Sequence, residues 1–440
     1  MSKHVHEFRD PIHGFIRVDS KERRVVDSRP VQRLRHIHQL ALTFLLYPGA
    51  THRRFEHSLG VMDLAGRVYD IVTDPNNILH DTVRDLVPEH NKMDHQYWRR
   101  VVRMAALCHD VGHLPFSHAA EDLLPKGQNH ESLTIDLIES DEMKEIWSEL
   151  AIHAHHVAKI AVGPRKYRKS MFTAWETILS EIIIGDAFGV DRMDYLLRDS
   201  HHIGVGYGKF DHTRLLDNLR ILPKSYTDGS KSRERPSGEL SLGVDFGGMH
   251  ATEALLLARY FMYTQVYFHA VRRAYDFHLV SFLRSWLKSG SFSTNLEKHL
   301  AMTDNDVMAG ILRAARTRRH PGHVPARIIV SREHYRLLYR RNPDDMKVNT
   351  EAAKLIARKA AGHFGNDSVH YYTKTEKGLT IDFPVWSTDG RITSSLARSD
   401  VLSRLPVLAI EYVLVAPEKM KEAKSWLEEN RIKVITPKKE

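Results

Sequence analysis

Apolar residues recur at helical spacing over most of the N-terminal part of the chain. From Arg54 to about Thr73 they recur every three or four positions, and Asp74-Pro75-Asn76-Asn77 ends the pattern, so we predict a helix there. Asp10-Pro11-Ile12-His13-Gly14 predicts a turn that an extended segment follows. The same helical spacing predicts further helices at about residues 97–111, 132–139, 171–200 and 252–288.

After about residue 320, short apolar runs replace the helical spacing. The runs at 327–330, 369–372 and 410–415 predict strands, and the segment 417–430 predicts a short amphipathic helix. The C-terminal part of the chain is therefore expected to mix α and β structure.

A strongly polar segment interrupts the pattern at residues 223–238, between two short predicted strands. This arrangement indicates a hairpin insert with a long loop near residues 218–245. We therefore predict a mainly α protein in which residues 1–305 form a helical core and residues 306–440 form a smaller α/β C-terminal lobe.

Composition narrows the class of protein. The 440 residues include 64 Lys and Arg against 55 Asp and Glu, a net charge of +9, which favours anionic partners such as nucleotides or nucleic acid. The single cysteine, Cys108, excludes an internal disulfide and any multi-cysteine metal site, and its apolar flank makes it a poor nucleophile. No apolar run reaches the roughly 18 residues of a membrane span. The N-terminus lacks the apolar core of a signal peptide, so we expect a cytoplasmic protein without membrane contact.

The histidines carry the first chemical signal. On a helix, His109 and His113 share one face, and the carboxylate of Asp110 can reach the same ion from the side. Imidazole and carboxylate ligands without thiolate suit Fe, Mn, Zn or Co. Buried or capping histidines are the alternative interpretation. A second His-Asp pair, His80-Asp81, follows a turn and is expected on a solvated face.

Further ligands must come from other segments. His57 lies in the first turns of the helix predicted from Arg54, and Asp191 opens a second polar stretch. Asp191, Tyr195 and Asp199 are four residues apart and form one stripe on a helix, although such a stripe is usually solvated. These residues occur within longer motifs: Asp10-Pro11-Ile12-His13-Gly14, Gln32-Arg33-Leu34-Arg35, Pro48-Gly49-Ala50-Thr51-His52, Arg54-Phe55-Glu56-His57-Ser58-Leu59-Gly60 and Asp191-Arg192-Met193-Asp194-Tyr195.

Together these motifs resemble the HD-domain deoxynucleoside triphosphate triphosphohydrolases, which include bacterial dNTPases and the catalytic core of the mammalian enzyme with SAM and HD domains. The resemblance covers roughly residues 5–290. It implies an HD-domain helical core and hydrolysis of dNTPs to deoxynucleoside and tripolyphosphate, with Mg possible on the substrate phosphates. It also implies four ligands for the divalent metal: His57, His109, Asp110 and Asp191.

The resemblance also implies how the leaving 5′ oxygen gains its proton. The candidate donors are His113, His118 and His130, with Glu121 standing where the mammalian enzyme has an aspartate paired to the last histidine. Helix capping is the alternative role for His118 and His130.

Substrate and activator contacts follow from the same resemblance. Asp276 replaces a family glutamine and Arg192 a family lysine, and core packing is an equal alternative for Tyr275. The activator would be GTP or a dNTP, bound in a homo-oligomer, expected to be a homotetramer. The implied substrate residues are Gln39, Leu40, Arg54, Arg192, Tyr195, Asp199, Tyr275 and Asp276, and the implied allosteric residues are Asp27, Gln32 and Arg35.

Two other functions stay open at this point. One is a different HD phosphohydrolase that acts on nucleoside monophosphates, cyclic dinucleotides or alarmones, which would not need the predicted deoxyribose contacts. The other is a nucleic-acid-binding protein that keeps an HD fold, which would not need four metal ligands. The basic net charge allows this second alternative.

Overall fold

The chain divides into two compact units that interleave along the sequence. The computed structural model describes residues 5–224, 239–376 and 381–436. One junction between the units falls at 305/306, where the sequence predicts the lobe boundary, and the division into two contiguous lobes stays a prediction. The first unit comprises residues 1–262, 292–305 and 380–405, and the second comprises 263–291, 306–379 and 406–440.

Helices make up most of the described residues, which confirms the predicted mainly α fold class. Those up to residue 262 all belong to the first unit. They are α1 (Ser20–Val26), α2 (Arg29–Arg33), α3 (Arg54–Val72), α4 (Asp81–Arg84), α5 (Met93–Cys108), α6 (His130–Ile138), α7 (Asp141–Leu150), α8 (Ala154–Val162), α9 (Ala174–Ile184), α10 (Val190–Ile203), α11 (His212–Asp217) and α12 (Met249–Met262).

The later helices are shared between the two units. The fourteenth, nineteenth and twentieth belong to the first unit, and the fifteenth begins at its border. The later helices are α13 (Ala270–Trp286), α14 (Leu296–Leu300), α15 (Asp304–Arg316), α16 (His323–Ser331), α17 (Pro343–Val348), α18 (Ala352–Phe364), α19 (Ser395–Arg398), α20 (Asp400–Ser403) and α21 (Met420–Ile435).

The strands form three small sheets. Strands β1 and β2 form a hairpin, β3-β4-β7-β8 form a mixed sheet in the first unit, and β5-β9-β6 form an antiparallel sheet in the second unit. The strands are β1 (Val5–Asp10), β2 (Gly14–Asp19), β3 (Leu219–Pro223), β4 (Leu240–Asp245), β5 (Arg336–Arg340), β6 (Val369–Glu376), β7 (Pro384–Trp386), β8 (Ile392–Ser394) and β9 (Leu408–Val415).

Several predicted elements are confirmed. The turn after Asp10 joins β1 to β2, and the helix predicted from Arg54 is α3. The predicted hairpin insert exists as the antiparallel pair β3 and β4, although its loop, 225–238, lies outside the described residues. In the second unit, β6, β9 and α21 occupy the segments predicted as strand, strand and helix.

Other predicted boundaries are wrong. The run 327–330 is not a strand but part of α16, where Ala326 and Ile329 share the buried face. Three apolar residues in a row, Ile328-Ile329-Val330, do not distinguish a strand from a helical segment. The predicted helix 171–200 is broken between α9 and α10, and the helix predicted at 252–288 is interrupted by a π-helical turn at Tyr263–Tyr267.

Helix α3 is the central element of the first unit and packs against α5 and α10. Its residues Val61, Leu64 and Val68 are fully buried, and burial of such side chains is worth about 1.5–3 kcal/mol each. Gly60 allows α10 to approach closely, because a Cβ there would overlap the side chains of Asp194 and Arg198. This close contact places the polar residues of α3 and α10 in the interior of the unit.

The second unit has its own apolar core. Helices α18 and α21 pack on the sheet β5-β9-β6 through buried residues such as Ile356, Val413 and Ala423. It contains the α/β structure predicted for the C-terminal part of the chain. In the described part of the chain, no helix combines the length and hydrophobicity needed to span a membrane.

Candidate active site and metal centre

The loop after α5 carries the His-Asp pair. The helix ends at Cys108, and the chain turns through His109 with hydrogen bonds from Val111 N to Cys108 O and from His113 N to Asp110 O, at 3.2 and 3.1 Å. The predicted helix to residue 111 is therefore too long, and the prediction that His109 and His113 share one helical face is wrong.

Gly112 determines where this loop runs. Its backbone N–H donates to Thr134 Oγ1 at 3.1 Å, and a Cβ at this position would overlap the backbone of α6. The loop therefore packs closely on α6 directly after the end of α5.

The four predicted metal ligands lie together at the end of α5. His57 comes from α3, His109 and Asp110 from the loop, and Asp191 from the first turn of α10. Donor atoms of His57, His109 and Asp110 all lie within 4.8 Å of one another. The carboxylate of Asp191 lies 3.1 Å from Nε2 of His57 and 3.4 Å from Nε2 of His109. Donors about 2.1 Å from one ion are themselves roughly 3.0–3.4 Å apart, so these separations suit a shared metal.

Hydrogen bonds fix both imidazoles with Nε2 directed at the carboxylates. Nδ1 of His109 is 2.7 Å from the carbonyl oxygen of Ala106, so this nitrogen carries the proton, and Nδ1 of His57 is 2.7 Å from Asp194 Oδ2. Nε2 of His109 is buried and makes no hydrogen bond to any described residue. Metal-ligating histidines typically hold their second nitrogen in this way. The residues therefore fit a divalent ion, although this donor set does not select one transition metal.

A buried network of charged residues contacts His57 through Asp194, on the Nδ1 side of the ring. Asp194 Oδ1 is 2.7 Å from His13 Nε2, and both oxygens of Asp194 accept hydrogen bonds from Arg198, at 2.8 and 2.9 Å. Arg198 also donates to Asp10 at 2.8 Å. Burial opposes the charge on Asp194, but Arg198, His13 and His57 outweigh it and hold the pKa of the carboxyl well below its usual range.

The sequence reasoning did not single out Asp194, Arg198 or His13 as functional. A signal was present, because Asp194 is three residues after Asp191 and four before Arg198, which places all three on adjoining faces of α10. The motif that contains His13 predicted a turn and carried part of the family resemblance, but neither gave His13 a role.

Within the metal-ligand cluster, histidines and carboxylates stabilise each other's charged forms. Burial opposes a charge on His57, but hydrogen bonds with Asp191 and Asp194 outweigh it and raise its pKa to about 10. Burial also opposes ionisation of Asp110, but Arg54, His109 and His113 hold the pKa of this carboxyl well below its usual range. Since a metal binds neutral imidazole and ionised carboxylate, metal binding here displaces protons from the histidines.

Arg54 lies beside the cluster, where its guanidinium bonds the carboxylate of Asp110 and its Nε donates to Ser117 Oγ at 2.9 Å. Phe116 and Ser117 are both left-handed, with φ of 57° and 56°, a costly conformation for residues other than glycine. The backbone N–H of Phe116 donates to Asp304 at 2.7 Å, which holds the loop in place.

Two of the predicted proton donors, His113 and His130, stack on each other, and His113 contacts the metal ligand Asp110. The rings of His113 and His130 stack with their centroids 4.1 Å apart, and His113 Nε2 is 3.2 Å from Asp110 Oδ1. Glu121 bonds Nδ1 of His130 and accepts its backbone N–H at 3.1 Å, so the predicted pair is in contact. The pKa of His113 lies well below its usual range, mainly because the ring is buried and secondly because Arg54 and His130 are nearby. The side chain of His118 lies outside the described residues.

Three of the predicted substrate residues, Arg192, Tyr195 and Asp199, lie on α10. Asp199 is buried and its Oδ1 is 2.7 Å from Nε2 of His52, a histidine that the sequence reasoning gave no role. Arg192 bonds the carbonyl oxygen of Gly185 and lies 3.2 Å from Asp186 Oδ1. The remaining members are Gln39 and Leu40, which are buried, and Tyr195, which is half-buried one turn after Asp191.

Tyr275 and Asp276 lie on α13, in the second unit. Tyr275 is buried, with its ring centroid 4.7 Å from that of His334, and Asp276 accepts a hydrogen bond from Arg273 at 2.9 Å. This packing agrees with the alternative that the sequence leaves open for Tyr275. Their contact with a substrate stays a prediction.

The predicted allosteric residues form a small polar surface of the first unit. Arg35 lies over the ring of Phe55 at 3.5 Å and donates to Gln32 at 2.9 Å, while Asp27 accepts from Arg23 at 2.7 Å. Asp27 and Arg35 are exposed and Gln32 is half-buried. A nucleotide role for this surface stays a prediction.

Cys108 should be unreactive in the folded protein. It is buried at the end of α5, and burial raises the pKa of its thiol to about 12, so the sulfur stays protonated at neutral pH. We expect iodoacetamide at about pH 8 to leave the folded protein unmodified and to alkylate it after unfolding in guanidinium chloride, as followed by mass spectrometry. Rapid alkylation of the folded protein would contradict the assigned burial.

A helical core whose buried histidines and aspartates converge on one point defines a metal-binding protein of the HD type, and comparison with known proteins agrees. Residues 54–198 match the HD domain family, and residues 210–368 match a family described as HD associated region. A crystal structure of a hypothetical protein from Aquifex aeolicus is 31% identical and covers 96% of this chain and 100% of that one, with a TM-score of 0.77. The chain is therefore an HD-domain protein, in which an HD domain is followed by an HD-associated region.

Two curated relatives extend this comparison. An uncharacterized protein of Methanocaldococcus jannaschii is 34% identical over 268 residues, 61% of this chain and 47% of that protein. The deoxynucleoside triphosphate triphosphohydrolase SAMHD1 of Gallus gallus is 31% identical over 256 residues, 53% of this chain and 39% of that protein. The chain spans about half the length of the first curated relatives that it matches.

Proposed function

We propose that this protein is a metal-dependent dNTP triphosphohydrolase, which converts dNTPs to deoxynucleoside and tripolyphosphate. The observation that carries the proposal is the convergence of the four donors His57, His109, Asp110 and Asp191 beside the stacked pair of His113 and His130. One half of this arrangement suits a metal, and the other suits proton transfer to a leaving group. Similarity to proteins named deoxynucleoside triphosphate triphosphohydrolase supports the choice of substrate.

The protein side chains prepare the metal position. Asp194 and the carbonyl oxygen of Ala106 fix the tautomer and orientation of His57 and His109, so both present Nε2 to the same point. A divalent ion bound there lowers the pKa of water and neutralises charge on the phosphate oxygens. Ordered burial of the donors keeps the site from reorganising during the reaction.

Among the candidate donors we assign His130 to supply the proton that the leaving 5′ oxygen requires. Its Nδ1 bonds Glu121, which leaves Nε2 as the second proton-bearing nitrogen when the ring is charged. Glu121 orients the ring through this contact, and His113, whose pKa lies well below its usual range, stacks against it.

Charged and polar residues around the donors define the substrate position. Arg54 and Arg192 supply positive charge for the triphosphate, and Arg192 brings a planar guanidinium where a lysine is usual. Asp199, held by His52, is assigned to the sugar 3′-hydroxyl together with Gln39. The surface formed by Asp27, Gln32 and Arg35 is assigned to a GTP or dNTP activator in a homotetramer.

Replacing Glu121 by Gln should lower kcat by about a hundredfold and leave the metal content unchanged, because the neutral amide no longer stabilises a charged His130. Steady-state kinetics and metal analysis of the purified variant measure both effects. Glu131→Gln is the matched control, since its carboxylate lies 3.4 Å from the same nitrogen, beyond a good hydrogen bond, and should cause a much smaller loss. Equal losses in the two variants would exclude a specific role for Glu121.

Product analysis tests the proposed reaction. Metal-loaded protein is incubated with each dNTP and with GTP, singly and in pairs, and the products are separated by chromatography. Tripolyphosphate with an equal amount of deoxynucleoside is expected, and turnover that appears only in pairs would establish an activator. Monophosphate with pyrophosphate, or hydrolysis of a cyclic dinucleotide or alarmone instead, would refute the proposed substrate while keeping the HD-type metal site.

A further inference from the structure

A cavity of about 300 Å³ lies in the first unit, beside α9, the connection from α9 to α10 and strand β4. None of its described lining residues is a metal ligand or a predicted proton donor. We propose that this cavity is a second ligand site, which binds an uncharged planar heteroaromatic molecule with N–H donors, of the chemical class of a nucleoside. The volume is at the lower end of the range for small-molecule sites.

The walls of the cavity suit a flat ring. Phe188 and Phe383 meet edge to face with their ring centroids 4.7 Å apart, and Ile184 and Leu242 are among the other apolar lining residues. Aromatic side chains in this arrangement offer both a ring face and a ring edge to a planar ligand.

The polar groups in the cavity require hydrogen-bond donors. The hydroxyl of Ser241 is buried, with the residue 5% exposed, and makes no hydrogen bond to any described residue. Glu181 uses one oxygen to accept from Leu242 N at 3.0 Å, while its other oxygen lies 3.7 Å from Lys224. A buried hydroxyl without a partner, such as that of Ser241, is costly in a folded protein, whereas the Glu181 side chain is 25% exposed. A ligand with N–H donors would satisfy both side chains.

The charges around the cavity disfavour a phosphorylated ligand. Three carboxylates line it, on Glu181, Asp186 and Asp382, against two cations, Arg165 and Lys224. Both cations have acidic neighbours, since Lys224 lies 2.7 Å from Glu239 and Arg165 lies 3.5 Å from Asp186. No surplus positive charge is available for phosphate groups, so a nucleoside fits the cavity better than a nucleotide.

The cavity shares a wall with the predicted substrate site. Gly185 and Asp186 line the cavity, and Arg192, the residue assigned to the triphosphate, bonds the carbonyl oxygen of Gly185 and the carboxylate of Asp186. A ligand that donates to Asp186 would compete with Arg192 and alter KM. If the proposed reaction is correct, its own deoxynucleoside product belongs to the class that binds here. That regulatory role rests on the proposed function, whereas binding to the cavity does not.

Isothermal titration calorimetry of the full chain with the four deoxynucleosides tests the inference without turnover. We expect at least one of them to bind. Glu181→Gln, which can still accept from Leu242 N, and Ser241→Val, which removes the hydroxyl, should each weaken binding about tenfold. Glu239→Gln is the matched control, because it changes an exposed acid that contacts Lys224 but does not line the cavity. Melting curves confirm that the variants are folded.

Three outcomes would overturn the inference. They are the absence of binding by every deoxynucleoside at millimolar concentration, binding that both cavity variants leave unchanged, which would place the ligand elsewhere, and tighter binding of dNTPs than of deoxynucleosides that depends on Glu181. Failure of the proposed function is distinguishable from these results. Binding that depends on Glu181 without tripolyphosphate release would keep the cavity site and reject only the assigned reaction.

Discussion

Replacing Asp110 by Asn is expected to remove the bound metal and to lower turnover by more than about a hundredfold, since loss of an outer contact to a metal ligand already costs about 10–100-fold. Asp110 is one of the buried donors of the metal-ligand cluster, with its carboxylate within 3.4 Å of His109 Nε2 and 3.2 Å of His113 Nε2. The amide keeps the shape of the side chain but presents only one neutral oxygen to the ion. Metal analysis and product chromatography on the same preparation measure both losses.

The chain supplies a matched control for this variant. Asp81 follows His80 in a second His-Asp pair, but its side chain is 99% exposed and His80 caps the short helix α4. Asp81→Asn should retain metal and activity at the level of the unmodified protein. Because Asp110 also pairs with the buried Arg54, the folding of Asp110→Asn is checked by its melting curve. A folded Asp110→Asn protein that keeps metal and activity would refute the assigned metal centre.

The sequence predicted the elements whose signal is local. Apolar residues recur at helical spacing over the nineteen residues of α3, and Pro75 cannot continue a helix. The course and the end of α3 could therefore be predicted from the sequence. The end of α5 could not, because it depends on packing of Gly112 against α6, a contact between residues distant in sequence. The interleaving of two compact units likewise depends on long-range contacts and leaves no local mark.

The candidate site shows the same limit. Its metal ligands could be named because short motifs carry them, and the family resemblance supplied their grouping. Asp194 and Arg198 were not named, since charged residues on a helix usually indicate a solvated face, whereas both are fully buried here. The close approach of α3 and α10 at Gly60, a contact between distant parts of the sequence, places both side chains against α3.

This buried network predicts the largest effect on stability. Arg198→Met is expected to lower the free energy of unfolding by about 3–5 kcal/mol, because the carboxylates of Asp194 and Asp10 would stay buried without their shared cation. Urea denaturation of the metal-free protein measures the change. Arg99→Met is the matched control. Its guanidinium makes a two-pronged contact with Asp70, at 2.6 and 2.7 Å, but the two side chains are 40% and 45% exposed, and loss of such a pair costs at most about 1 kcal/mol.

The dependence of this effect on pH distinguishes a lost ion pair from lost packing. Arg198 is the main partner that holds the pKa of Asp194 below its usual range, so its contribution is complete above the unfolded pKa of about 3.9 and disappears as pH falls through the lower folded value. The difference between Arg198→Met and the unmodified protein should therefore be largest near neutral pH and shrink below about pH 4. A difference that stays constant over this range would mean that Arg198 stabilises the core by its packing and that the charge network behind His57 contributes little.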